Sequence, residues 1–232
     1  MMNFTPCNRL ALFLVSISLL TAPLLAGDAK SAEQNELRTK VGEMFKVERL
    51  RPGSMAPDFK LQRVNGETIQ ASEWWKQKPL VIMTGSFSCP WFRDSTPDRL
   101  ALIKEFGDHV NFVVVYTVEA HDQEGNSPYS EKKFVPRENL RDSISLKQPV
   151  SFQQRYNLAK KCHESLRMLS ALAVDNMDNA IWKAYGEAPN CAYLVGTDGK
   201  IACQQGMFVG EEMRQSIKQL LAALPSSNSP KD

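Results

Sequence analysis

Two short stretches of the 232-residue chain hold residue types able to do chemistry together, Ser86-Phe87-Ser88-Cys89-Pro90 and Tyr116-Thr117-Val118-Glu119-Ala120-His121. Cys89 follows an apolar run, Leu80 to Met83, and stands where a helix pattern begins. Free N–H groups of a first helical turn and the positive end of the helix dipole favour a thiolate, so this position predicts a thiol pKa below the free value of about 8.5 and a nucleophilic sulfur. Pro90 suits the first helical position because no N–H is needed there. In the second stretch His121 is the proton carrier. Glu119 is expected to orient it and to raise its pKa from about 6.5, which suits proton delivery at neutral pH. Tyr116 is placed to donate a hydrogen bond. Ser86 and Ser88 either bond the sulfur or cap the helix, with Ser88 the expected cap.

The elements that must position these residues follow from periodicity. Phe59 to Gln62 and Thr68-Ile69 flank Asn65-Gly66, a hairpin turn signal. Ser72 can cap a short helix over 73–76. The runs 80–83 and 110–116 read as strands buried on both faces. A helix from Cys89 to Phe106 is interrupted at Thr96-Pro97, where proline kinks it or starts a second helix capped by Thr96. Residues 122–150, punctuated by Gly125, Pro128, Pro136 and Pro149, form a long loop with one short helix, and loops of that length are often functional. A helix over 151–169 gathers Leu158, Ala159, Cys162 and Leu166 on one arc, which makes Cys162 a core thiol. Strands at 171–174 and 191–195, a turn at Asp198-Gly199 that sets Leu194 opposite Cys203, and a last amphipathic helix with Met213, Ile217 and Leu220 complete the domain. The fold class is α/β, a three-layer sandwich with a central mixed sheet, helices on both faces and an N-terminal β-hairpin. Chemistry in such sheets collects at the carboxyl ends of parallel strands, so the two stretches are expected to meet.

Composition narrows the partners. Lys+Arg 28 against Asp+Glu 26 is a near-neutral balance without a basic run, which speaks against a nucleic-acid surface and for a small-molecule substrate or a protein partner. Arg9 precedes an uncharged apolar stretch ending at Ala26, which reads as a secretory signal peptide over 1–26 or, uncleaved, as an N-terminal anchor facing outward. Residues 27–49 form a tether or short helix, 50–224 the domain and 225–232 a disordered tail. Export to a periplasmic or extracellular space would leave Cys89, Cys162, Cys191 and Cys203 where disulfides persist. No Cys-x-x-Cys occurs, and Cys162-His163 diverge on a helix, so no metal and no bound cofactor is expected.

With both stretches quoted, the chain resembles the iodothyronine deiodinase family, within the thioredoxin fold and near the peroxiredoxins, over about residues 50–223. Residues 85–92, GSFSCPWF, are similar to the family's Gly-Ser-Cys-Thr-selenocysteine-Pro-Pro-Phe, and residues 116–121, YTVEAH, to its Tyr-Ile-Glu-Glu-Ala-His. The resemblance places Cys89 on the selenocysteine and Ser86, Ser88, Tyr116, Glu119 and His121 on residues used around the active site. It implies a thiol oxidoreductase that performs reductive dehalogenation or a related reduction. Sulfur stands in for selenium, Phe87 for the family's cysteine two residues earlier, and Cys191 for an arginine that helps hold an anionic substrate. Cys191 follows Pro189, in a segment that the thioredoxin fold lays beside the active cysteine, which makes it the internal candidate to resolve an oxidised Cys89. Otherwise an external thiol or thioredoxin-type protein is the reductant. Two other readings stand beside this one, a thiol peroxidase and a non-catalytic redox-fold binding module. A homodimer is left open.

Overall fold

The computed structural model describes residues 22–224, so most of the export-signal segment and the tail lie outside the described residues. One helix, α1, runs from Ala22 to Gly42, through the expected junction at residue 26. Among the described residues no helix is long and apolar enough to cross a membrane. The larger compact unit begins at Asn35 and takes in two 3₁₀ turns, Glu43–Phe45 and Glu48–Leu50.

That unit is built on a seven-stranded mixed sheet. In chain order the strands are β1 (Lys60–Arg63), β2 (Thr68–Gln70), β3 (Leu80–Gly85), β4 (Asn111–Tyr116), β5 (Ala171–Val174), β6 (Ala192–Val195) and β7 (Ile201–Gln205), lying side by side as β2-β1-β5-β4-β3-β6-β7. β3 and β4 are parallel with Gly85 beside Tyr116, and β4 is parallel to β5. β6 runs antiparallel to β3, and the hairpin β6–β7 pairs Leu194 with Cys203 as its turn predicts. The hairpin β1–β2 forms at Gly66, whose φ of 89° is open to glycine without strain.

The helices are α2 (Ala71–Gln77), α3 (Pro90–Asp94), α4 (Thr96–Phe106), α5 (Arg137–Arg141), α6 (Phe152–Ser165), α7 (Ala180–Ala184) and α8 (Gly210–Ala223). Ser72 does not cap α2 with its side chain. Asp58 supplies the carboxylate oxygen that accepts from the Ser72 N–H at 2.9 Å. The break before Pro97 falls as the sequence requires, with Ser95 rather than Thr96 as the residue preceding α4. Ser151 caps α6, its hydroxyl accepting from Gln154 N at 3.3 Å.

Two hydrophobic cores sit on opposite faces of the sheet, because successive residues of a strand point to opposite sides. On β3, Val81 and Met83 enter one core with Cys89, Phe92 and Cys162, while Leu80 and Ile82 enter the other with Tyr185, Cys191 and Tyr193. Gly85 lets β3 meet α3 closely: a Cβ there would stand 2.1 Å from Phe92 Cδ2. Gly85→Ala is therefore expected to displace Phe92 and cost about 1–3 kcal/mol of unfolding free energy by overpacking, read from chemical denaturation.

Candidate active site

Strand β3 ends at Gly85 and the chain crosses to α3 through Ser86, Phe87, Ser88 and Cys89. Cys89, not Ser88, is the N-cap residue. Its backbone is extended, its sulfur accepts from Phe92 N at 3.4 Å, and Pro90 follows in the first turn. The adjacent parallel strand β4 ends level with β3 and releases Thr117 to His121 over the same edge. The two stretches meet there, as parallel strand ends require.

Hydrogen bonds stitch them together through the backbone. Ser86 Oγ accepts from Ala120 N and Ser88 Oγ from His121 N, each at 3.0 Å. The two serines thus hold the second stretch against the first and neither caps α3 with its side chain. Glu119, fully buried, accepts from Ser88 N at 2.9 Å through one carboxylate oxygen and from the Tyr116 hydroxyl through the other. The Tyr116 hydroxyl in turn accepts from Phe87 N at 3.2 Å. Arg93 donates to Phe87 O at 2.8 Å and Asn139, on α5, to Ser88 O at 2.9 Å. Every polar backbone group of Phe87 and Ser88 is therefore occupied, which fixes the turn that presents Cys89.

The residues that do this from the long loop had no signal in the sequence. Asn139 and Gln148 lie in a stretch without periodicity, and Gln148 exchanges two hydrogen bonds with the Glu119 backbone, at 2.9 and 3.2 Å. Arg93 also pairs with Asp142 at 3.1 Å, tying the loop to the first turn of α3. Arg93 was readable in principle: it stands one helical turn after Cys89, where a cation can face the sulfur. Arg99, 2 % exposed, stacks on the Phe92 ring at 4.1 Å and is held by the Ser95 and Thr96 hydroxyls.

Two electrostatic expectations change. Burial outweighs the helix N–H groups and Arg93, so the Cys89 thiol is pushed up to about 11 instead of down. The residue is 4 % exposed and shares its core with Leu146 of the long loop. His121 moves down from its ordinary value, first by burial and then by the Arg93 charge, because Glu119 spends both oxygens on Ser88 and Tyr116 and does not bond the imidazole. The ring packs edge-on against Phe134, centroids 4.7 Å apart, with Nδ1 unpartnered. A neutral imidazole is a proton acceptor. Burial also raises the Glu119 carboxyl.

The structure places Cys89 and Cys191 in different cores. Cys191 pairs beside Thr84 at the start of β6, 3.0 Å from its hydroxyl, and belongs to the core on the opposite sheet face. Its thiol is likewise pushed to about 11 by burial. Cys162 is a buried core thiol, and all four described cysteines are free.

The raised Cys89 value has a direct readout. At pH 8 a thiol of pKa 11 is roughly 0.1 % thiolate against about 10 % for one at 9.0, so native Cys89 is expected to alkylate with iodoacetamide about 100-fold more slowly than after unfolding, with a midpoint near pH 11. The accompanying stability contribution is intact below the free-thiol value of 9.0 and is lost as pH rises through about 11. A native midpoint at or below 8 would show that the loop leaves the sulfur solvated.

A cysteine that caps a helix at the carboxyl end of a central strand, in a mixed sheet covered on both faces, defines a thioredoxin-like protein. The thioredoxin domain of a thiol-disulfide oxidoreductase from Bacteroides vulgatus superposes with a TM-score of 0.52 at 16 % identity, covering 73 % of this chain and 97 % of that one. Residues 32–220 match the family described as iodothyronine deiodinase, and the chain belongs to that family. It is 32 % identical over 113 residues to the type II iodothyronine deiodinase of Fundulus heteroclitus, covering 48 % of this chain and 40 % of that protein. With the protein of the same description from Neoceratodus forsteri it is 33 % identical over 112 residues, 47 % of this chain and 38 % of the relative. The chain thus spans about two fifths of the length of these relatives.

Proposed function

We propose that the protein is an exported thiol oxidoreductase that reduces a small halogenated or otherwise oxidised substrate through Cys89. The observation that carries this reading is the placement of Cys89 as the N-cap of α3, with its sulfur on the Phe92 N–H and the backbone of His121 bonded to the adjacent Ser88.

With an aryl iodide the chemistry balances as follows. Neutral His121 takes the Cys89 proton. The thiolate attacks iodine, an S–I bond forms, and the electrons of the broken C–I bond stay on the ring carbon, which takes the proton back from the imidazolium. The substrate is reduced to C–H and sulfur is oxidised to the sulfenyl iodide. An external thiol then displaces iodide to give a mixed disulfide. A second external thiol releases Cys89 and leaves as the oxidised reductant. An outside reductant fits the placement of Cys89 and Cys191 as free thiols in different cores. Glu119 and Tyr116 act here as positioning residues, since their polar atoms hold the Cys89 turn.

The test is to supply an iodinated phenol or hydrogen peroxide with dithiothreitol, follow iodide release or peroxide loss, and map the adduct on Cys89 by peptide mass. Iodide release with a Cys89 adduct supports the reading. Peroxide turnover alone reassigns the protein as a thiol peroxidase, and no adduct with either makes it a binding module.

A further inference from the structure

Between β4 and α6 the chain makes a flap, residues 135–145, whose base is closed and whose tip is tied to the Cys89 turn. The two ends of the base meet on one short segment: Phe134 N donates to Gly125 O at 3.0 Å, and Leu146 O accepts from Gln123 N at 2.7 Å. That is the form of an Ω-loop, an excursion with its ends close together. At the far side α5 supplies two polar ties. Asn139 donates to Ser88 O at 2.9 Å, and Asp142, the residue that ends α5, accepts from Arg93 Nη2 at 3.1 Å. The ties land on either side of Cys89, one residue before it and one helical turn after it. They leave from one face of α5, because residues three apart are neighbours on a helix. The other side is in water: Leu140 is 69 % exposed and the Arg141 side chain 67 %. The flap thus stands on the solvent side of the turn that presents Cys89.

We infer that this flap is a gate: α5 lifts from the Cys89 turn and settles back on it, and its two ties set how often the sulfur meets solvent. What holds α5 down is polar and small. Asn139 is its one buried residue, and its one large apolar side chain, Leu140, lies in solvent. A helix of five residues does not hold itself together. Ser143, just beyond it, keeps a left-handed φ of 54°, a backbone strain that opening relieves. Elements with few buried apolar contacts open at the low end of the range of local stabilities. The base is held differently, by main-chain bonds and by Leu146, which is buried in the core that contains Cys89, so the rest of the loop stays in place when the tip lifts. The need for a gate lies in Cys89 itself, which at 4 % exposure leaves little room for a reagent to reach the sulfur. This inference goes beyond the reductive reading and does not rest on it, because access to the sulfur is independent of what the sulfur then does.

Alkylation of the full chain with iodoacetamide at a fixed pH, read cysteine by cysteine by peptide mass, tests the gate without any substrate. Asp142→Ala and Asn139→Ala are each expected to raise the Cys89 rate about fivefold, the effect of removing one partly exposed ion pair or one hydrogen bond from the closed form. Leu140→Ser, on the outer side, should leave the rate at the parent value. Cys162 and Cys191, buried and free, report on unfolding and should stay slow in every variant. Hydrogen exchange of the parent adds a readout free of substitutions: the bonded amides of Asn139, Asp142 and Ile144 are expected to exchange about tenfold or more ahead of those in α6. Cys89 rates within about twofold of the parent in both tie variants, an equal rise in Leu140→Ser, a rise of Cys162 and Cys191 in step with Cys89 in Asp142→Ala, or α5 amides protected like those of α6 would each overturn the inference.

Discussion

Cys89→Ser will reduce substrate no faster than buffer does, while the protein keeps its fold. The first half of that expectation follows from the proposed step, in which no other described atom forms the bond to halogen: serine is a far weaker nucleophile at neutral pH and cannot hold the oxidised state that an external thiol must relieve. The second half follows from the cap. Serine is a preferred N-cap residue, and its oxygen can take over the Phe92 N–H that the sulfur now accepts. Burying a hydroxyl in place of a thiol, 4 % exposed, costs about 1–2 kcal/mol, which the cap bond partly offsets. Iodide release under saturating dithiothreitol and a urea denaturation curve give the two readouts. Residual turnover above one tenth of the parent would remove Cys89 from the chemistry.

His121→Ala is expected to lower turnover by roughly 10²–10⁴-fold, the usual range for loss of a positioned acid or base. The geometry makes this variant informative. His121 is tied to the Cys89 turn through its backbone N–H, which the substitution retains, so the stitch to Ser88 survives and only the imidazole is removed. The pH profile should change with it. Burial and Arg93 keep the His121 pKa below its ordinary 6.5, so the parent should lose activity as acid protonates the imidazole below that value, and the alanine variant should lack that acid limb. A variant that keeps the parent's acid limb, or one within threefold of the parent, would show that Cys89 gives up its proton by another route.

The positions of both stretches were legible in the sequence because they depend on strand ends, and strand ends follow from apolar runs such as Leu80 to Met83 and Val113 to Tyr116. Parallel pairing then brings residue 85 level with residue 116. The electrostatics were not legible. The dipole argument for Cys89 counts N–H groups, which sequence reveals, but the cost of burial depends on what covers the sulfur, and the covering loop has neither periodicity nor a turn code that would fix it. The same gap explains His121. Glu-Ala-His spacing suggests a carboxylate beside the ring, yet Ser88 N–H and the Tyr116 hydroxyl claim both oxygens first. Strand alternation sets Cys191 on the face of Ile82 and Tyr193, while Cys89 belongs to the core on the other face.

The polar braces on the turn before the nucleophile all land on main-chain atoms of residues 87 and 88, so a new side chain at 87 leaves them in place and disturbs only the core packing of Phe87. Proline at 87 or 88 would sever a brace. A cysteine grafted at 87 would inherit the existing scaffold, giving the protein a built-in second sulfur and converting a two-substrate cycle that waits on outside thiols into one that can close on itself first.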